Sequence, residues 1–267
     1  MARPASSGQG ALAMHRLVPR LLVLCLGILV ALGVYGGVRL ASTSCNPLAR
    51  SACVRVLFIG NSYTYVNDLP TVFRELARAA GQNVETNIVA NGGETLAQHA
   101  ASSDDRAVLG GSSWQYVVLQ EQSEIPSVES LRQTGMYPAT RSLVASARAD
   151  GATPILLETW AHRDGWSDYG LTFVSMQAAI DQGYATIAGE LKVSIAPAGQ
   201  VWQLVATHDP GITLWQSDGS HPTPAGTFLA ACTLYARIFG PCPVGGSYTA
   251  GLSTTDAATI EAAANQD

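Results

Sequence analysis

Two kinds of apolar pattern take turns along this chain. Val54 to Ile59 is a compact apolar run rich in β-branched residues, ended by Gly60, which reads as a strand buried on both faces. Leu69 to Ala80 reads as a helix, with Asp68 near its start and Gly81 at its end. Val84 to Ala90 alternates like a strand, Glu94 to Ala101 is helical, and Tyr116 to Leu119 is a third strand. A long amphipathic stretch from Ser127 to Asp150 is closed by Gly151, and Pro154 to Glu158 forms a fourth strand. Leu171 to Leu191 is helical and Val193 to Ala196 is a short fifth strand. Pro224 to Phe239 is the last strong helix, stopped by Gly240 and Pro241, and a weaker one follows from Asp256 to Ala264. Strands alternating with helices predict a parallel sheet covered on both faces. The expected architecture is therefore α/β, a flavodoxin-like three-layer αβα sandwich with a five-stranded parallel sheet. Ligand sites in such sheets lie beyond the carboxyl ends of the strands, so the residues just after each strand carry the functional question.

The N-terminus follows another rule. Residues 1–20 are polar and basic, and Leu21 to Val38 holds no charged side chain. That run is at the short end of a membrane span and longer than a typical signal-peptide core. No polar stripe marks it as a core helix. Arg16 and Arg20 before it favour a cytoplasmic N-terminus. The segment is either an uncleaved signal anchor or a cleaved export signal, and both place the remainder outside the cytoplasm. The expected organisation is a basic N-terminus (1–20), an anchor or signal (21–39), a linker (40–53) and one folded domain (54–267).

Composition narrows the classes. Of 267 residues, 47% are hydrophobic, which excludes a disordered chain, and only 13% are charged, about half the usual share. The 15 basic residues are 14 Arg and Lys192, and four of the Arg lie in the first 39 residues, which contain no acid. The remainder carries 11 basic against 20 acidic residues, a formal balance of −9 that repels phosphate backbones and argues against nucleic-acid binding. Outside the apolar segment, Cys45 and Cys53 form one close pair and Cys232 and Cys242 another. In an exported domain these suggest disulfides, with neighbour pairing one of three connectivities and buried free thiols the alternative. No C-x-x-C occurs, and His99, His162 and His208 form no metal-binding pattern with His221.

Five strand-end or loop features bear on chemistry. Ser62, after Gly60 and Asn61, stands where a nucleophile would, although a serine there also serves as a helix cap or turn residue. Asp218 and His221 are three apart in a loop leading into the last helix. That spacing lets a carboxylate meet Nδ1 and leaves Nε2 to take a serine proton, while the plain alternative is a Pro-rich surface loop. Gly92 and Gly93 follow the second strand, where a missing side chain lets a backbone N–H point into a site. Gln120 and Gln122 follow the third strand and offer amide donors to an oxyanion. Glu158, Trp160 and His162 follow the fourth strand as possible pocket lining, with packing the plain reading for Trp160.

Together these residues resemble the SGNH (GDSL-type) hydrolases over roughly Arg55 to Phe239. Gly60-Asn61-Ser62 is similar to that family's first block, Gly93 to the glycine of the second, and Asp218-Gly219-Ser220-His221 to the last, Asp-x-x-His. The third block normally reads Gly-x-Asn-Asp, and here Gln120-Glu121-Gln122-Ser123 stands in its place, as in a branch of similar sequences. The resemblance implies a serine esterase acting on small, chiefly acetyl, esters, some of them on carbohydrates. Ser62, His221 and Asp218 would form the triad. The N–H groups of Ser62 and Gly93 and the side chain of Gln122, or of Gln120 as alternate, would hold the oxyanion. No metal and no organic cofactor is required. Two alternatives remain open on the sequence: a catalytically silent carbohydrate-binding or envelope domain, and an acyltransferase. Oligomeric state is not legible.

Overall fold

Five strands pair in one parallel sheet, β1 (Cys53–Gly60), β2 (Asn83–Ala90), β3 (Tyr116–Leu119), β4 (Thr153–Leu157) and β5 (Ser194–Ala196). Their order is β2-β1-β3-β4-β5, the expected doubly wound arrangement. The structure, a computed structural model, describes residues 45–266 apart from Pro47 and Arg50. The expected basic N-terminus and the apolar segment 21–39 lie outside the described residues. Among the described residues no helix is long and apolar enough to cross a membrane.

The register aligns the strand ends. Ile59 pairs with Val89 and Leu119, Leu119 with Leu156, and Leu156 with Ile195, so the residues after β1, β2 and β3 emerge along one edge. Alternation along each strand divides the core in two. Val56, Phe58, Val118, Ile155 and Leu157 face one layer, made by α2 (Leu69–Ala79), α7 (Ala198–His208), α8 (Pro224–Phe239) and α9 (Thr254–Ala263). Leu57, Ile59, Val117, Leu119 and Leu156 face the other, made by α3 (Leu96–Ala101), α4 (Ser103–Gly110), α5 (Tyr137–Ala149) and α6 (Phe173–Leu191). A four-residue helix, α1 (Ser62–Tyr65), follows β1 directly.

Three features depart from the sequence expectation. Helices α4 and α7 were not expected. The stretch from Ser127 to Asp150 is not one helix. A 3₁₀ turn (Ile125–Ser127) leads into it, and a single turn (Glu129–Leu131) and a π-type turn (Arg132–Met136) follow before α5 begins. Pro138 supplies the reason, since it has no N–H for the carbonyl of residue 134 and the turn before it widens. Arg132 then turns inward, donating to the Pro126 and Ala179 carbonyls at 2.9 and 2.7 Å. A side chain at Gly183 would lie 2.7 Å from Arg132 Cδ, so α6 needs glycine there to pack against this segment. The third departure concerns the cysteines. Cys45 and Cys53 are joined in a disulfide, whereas Cys232 and Cys242 are buried free thiols. Burial and the contact with Cys242 push the Cys232 thiol well above its ordinary pKa.

Candidate active site

The turn after β1 is built around a missing side chain. A Cβ at Gly60 would come within 2.5 Å of both Gln120 Oε1 and Thr64 Oγ1, so only glycine lets β1 end against that amide. Asn61 caps α1, its side-chain oxygen accepting the Tyr63 N–H at 3.1 Å, and its amide donates to the Glu94 carbonyl at 2.9 Å. One residue thus ties the turn carrying Ser62 to the loop carrying Gly93. Ser62 begins α1, where the first N–H groups have no acceptor within the helix.

The last loop delivers the other two groups. Asp218 opens a turn through Gly219, whose φ of +71° favours glycine. Asp218 Oδ1 accepts the N–H groups of Ser220 and His221 at 2.9 and 3.0 Å, and Oδ2 lies 2.7 Å from His221 Nδ1. Burial opposes ionisation of Asp218, but these bonds outweigh it and hold its pKa below the ordinary carboxylate value. His221 Nε2 lies 3.0 Å from Ser62 Oγ. The hydroxyl, imidazole and carboxylate therefore form one continuous line across a separation of 159 positions.

An aromatic column supports this line. The Tyr63 and Trp160 rings stack at 4.5 Å, and Trp160 stacks on Trp202 at 4.0 Å. Tyr63 Oη meets Ser220 Oγ at 2.7 Å while Trp160 Nε1 donates to the Ser220 carbonyl at 3.0 Å. Ser220 is thus held at both ends, and it lies directly before His221. Trp160 is packing, and it packs under the loop that carries Asp218 and His221. Of its two neighbours, His162 lines the cleft. Glu158 is buried and hydrogen-bonded to Gln200, its pKa raised by burial and then by the Asp181 carboxylate.

Ser62, His221, Gly93 and Gln122 line one open cleft of about 400 Å³. Gly93 has a φ of +69°. The Gln122 amide oxygen is turned away, accepting the Glu124 and Ile125 N–H groups at 2.8 and 3.2 Å. Its Nε2 is held only by two long contacts of 3.4 Å, to Ser123 Oγ and the Glu124 carboxylate. Gln120, the alternate, does not enter the cleft. It is buried, its oxygen accepts from Asn61 N at 3.0 Å and Thr64 Oγ1 at 2.8 Å, and its Nε2 donates to Asn61 Oδ1 and the Glu121 carbonyl. With both amide ends bonded internally it holds the Ser62 turn in place and has no donor left for an oxyanion.

Residues that the sequence did not single out stand around this core. Tyr65, Ser123 and Glu124 line the cleft. Behind it, buried Glu121 accepts the Leu96 and Gln122 N–H groups at 3.1 and 2.7 Å through one oxygen, and its other oxygen has no partner among the described residues. Burial raises the Glu121 pKa to about 7 against those two bonds and the nearby His99 ring. His99 lies 2.6 Å from Asp105 and 2.8 Å from the Gly60 carbonyl. Glu94, His99 and Asp105 have ligand chemistry; a carbonyl only accepts, so His99 Nε2 carries a proton toward Gly60 and Nδ1, facing Asp105, is the ring's remaining ligand atom.

No protein-family model matches the sequence, and no curated protein does. Solved structures are similar to it. A candidate SGNH hydrolase from Slackia heliotrinireducens is 28% identical with a TM-score of 0.59, covering 68% of this chain and 97% of its own. A DUF4886 family protein from Bacteroides uniformis is 20% identical with a TM-score of 0.64, covering 80% and 94%. An acetyl xylan esterase from Geobacillus stearothermophilus is 16% identical with a TM-score of 0.55, covering 72% and 96%. The chain has the fold of the SGNH (GDSL-type) hydrolases, an enzyme fold of the ester-bond hydrolase class.

Proposed function

We propose that this protein is a serine esterase that removes small acyl groups, chiefly acetyl, from hydroxylated alcohols such as sugars. The observation that carries the reading is the unbroken line from Asp218 Oδ2 through His221 to Ser62 Oγ, at 2.7 and 3.0 Å. Ser62 Oγ attacks the ester carbonyl while His221 Nε2 takes its proton, and Asp218 keeps the other ring nitrogen protonated. The tetrahedral oxyanion is held by the N–H groups of Ser62 and Gly93 and by Gln122 Nε2. Collapse expels the alcohol, which receives the proton from His221, and leaves an acyl-Ser62. Water, deprotonated by His221, then releases the acid and restores the hydroxyl.

Lining chemistry supports a short acyl group. The cleft walls comprise serine, glycine, asparagine, glutamine, glutamate, histidine and two tyrosines, with no aliphatic side chain among the described residues. A long acyl chain would gain little of the ~0.8 kcal/mol available per buried methylene. The likeness to an acetyl xylan esterase agrees with a carbohydrate ester as substrate. The 18 charge-free residues from Leu21 to Val38 and the Cys45–Cys53 disulfide support an extracytoplasmic address, either anchored or secreted. The test is Ser62→Ala. The wild type is expected to hydrolyse p-nitrophenyl acetate and to be labelled by a fluorophosphonate. The variant should do neither while keeping its circular dichroism spectrum. Full activity in the variant removes the esterase reading, and an unlabelled wild type returns the domain to a binding role.

A further inference from the structure

The cleft has two ends, and the mechanism assigns them. His221 must hand its proton to the departing alcohol, so the alcohol half of the ester lies on the side of the cleft next to that ring. Glu124, Ser123 and His162 line the cleft together with His221, and His162 Nε2 lies 3.3 Å from Ser123 Oγ, the residue before Glu124. The Glu124 carboxylate accepts Gln122 Nε2 at 3.4 Å, in a turn fixed by the bond from Glu124 N to Gln122 Oε1.

The charge here is one-sided. Among the described residues no lysine or arginine lines the cleft. Arg163, next along the chain, is exposed and paired with Asp164 at 2.9 Å, and its backbone N–H bonds the Gly219 carbonyl, which sets its charge against Asp218 and not in the cleft lining. Burial lowers the His162 pKa despite the Glu124 and Asp218 carboxylates, leaving the ring neutral at pH 7. Glu124 is therefore the carboxylate that lines this region, and it favours hydroxyl or ammonium donors over anions.

We propose that Glu124, with Ser123 and His162 beside it, is the subsite for the alcohol half of the ester, taking neutral or amino-bearing polyhydroxyl alcohols, and that Glu124 is the residue that rejects anionic ones. The proposal rests on the esterase reading. Its test uses three esters acetylated at the same hydroxyl: methyl glycosides of glucose, glucosamine and glucuronic acid. The wild type should favour the glucosamine and glucose esters over the glucuronate ester by about tenfold in kcat/KM, the size of one like-charge contact near solvent. Glu124→Gln should compress the glucose-to-glucuronate ratio toward one, and Glu124→Asp should preserve it. Raising the salt concentration should also narrow the wild-type ratio. Because the measure is a ratio within one preparation, a partly folded variant does not distort it. An unchanged ratio in Glu124→Gln, with hydrolysis still lost in Ser62→Ala, overturns the subsite and leaves the esterase standing. Hydrolysis of p-nitrophenyl acetate that does not depend on Ser62 overturns the esterase reading itself.

Discussion

Two imidazoles in this chain lie against carboxylates at almost the same distance, His221 against Asp218 at 2.7 Å and His99 against Asp105 at 2.6 Å. What differs is the atom opposite Nε2. For His221 it is the Ser62 hydroxyl at 3.0 Å, and for His99 it is the Gly60 carbonyl at 2.8 Å. A hydroxyl can give its proton to a neutral ring, whereas a carbonyl has none to give and already receives the ring's own. The His221 side chain is 34% exposed and the His99 side chain 0%. The same dyad is thus a candidate base at one place and a buried strut at the other. The third partner and access to substrate make the difference, not the Asp–His contact.

Substitution at the exposed pair should show the largest effect. In Asp218→Asn the new amide can still accept the Ser220 and His221 N–H groups, so the loop keeps its turn. Its NH₂ would face His221 Nδ1 and drive the ring proton to Nε2, where it points at the Ser62 hydroxyl. Turnover of p-nitrophenyl acetate is expected to fall ~10³–10⁴-fold, with the urea midpoint almost unmoved. A loss of less than tenfold would mean that Asp218 only shapes the loop.

The buried pair should behave the other way. His99→Ala removes the donor to Gly60 and leaves the Asp105 carboxylate, 13% exposed, without its partner. About 4 kcal/mol of folding stability is expected to go, within the range for breaking a buried pair. Activity per fluorophosphonate-titrated site should stay within about tenfold of wild type, because the triad geometry does not include His99. A variant with normal stability and a thousandfold slower turnover per titrated site would reverse the contrast and make His99 part of the chemistry.

How far the sequence reveals these features follows from how local their causes are. Val54–Ile59 and Tyr116–Leu119 are central strands buried on both faces, so composition alone marks them. Helix α7 has no side-chain cap at Pro197, and α4 is capped by Ser102 inside a polar run, so neither announces itself. The Asp218–His221 spacing is legible because the contact closes within one turn. The choice between Gln120 and Gln122 is not, because β3 ends at Leu119 and alternation no longer orders the residues beyond it. Long-range bonds to Asn61 and Thr64 decide it. The roles of His99, Glu121 and Glu124 depend on segments brought together by the fold, as where His99 reaches the Gly60 carbonyl.

The smallest effect concerns pH and again separates the two regions, since the exposed pair should govern activity and the buried cluster stability. Burial raises the Glu121 pKa to about 7 from an ordinary 4.5. Between those values the folded chain binds a proton that the unfolded chain has lost, so stability declines as pH rises and is lowest above 7. Glu121→Gln removes this titration, and the amide oxygen can still accept the Leu96 and Gln122 N–H groups. The variant should therefore gain on the wild type with rising pH, by up to about 3 kcal/mol between pH 4.5 and 8.5, at 1.36 kcal/mol per pKa unit. Glu158, whose pKa burial and Asp181 also raise, titrates in both proteins and drops out of the difference. Urea unfolding of both proteins at the two pH values measures it. A difference independent of pH would show that Glu121 is already charged in the folded state at pH 4.5, with its buried oxygen stabilised by the neighbouring His99.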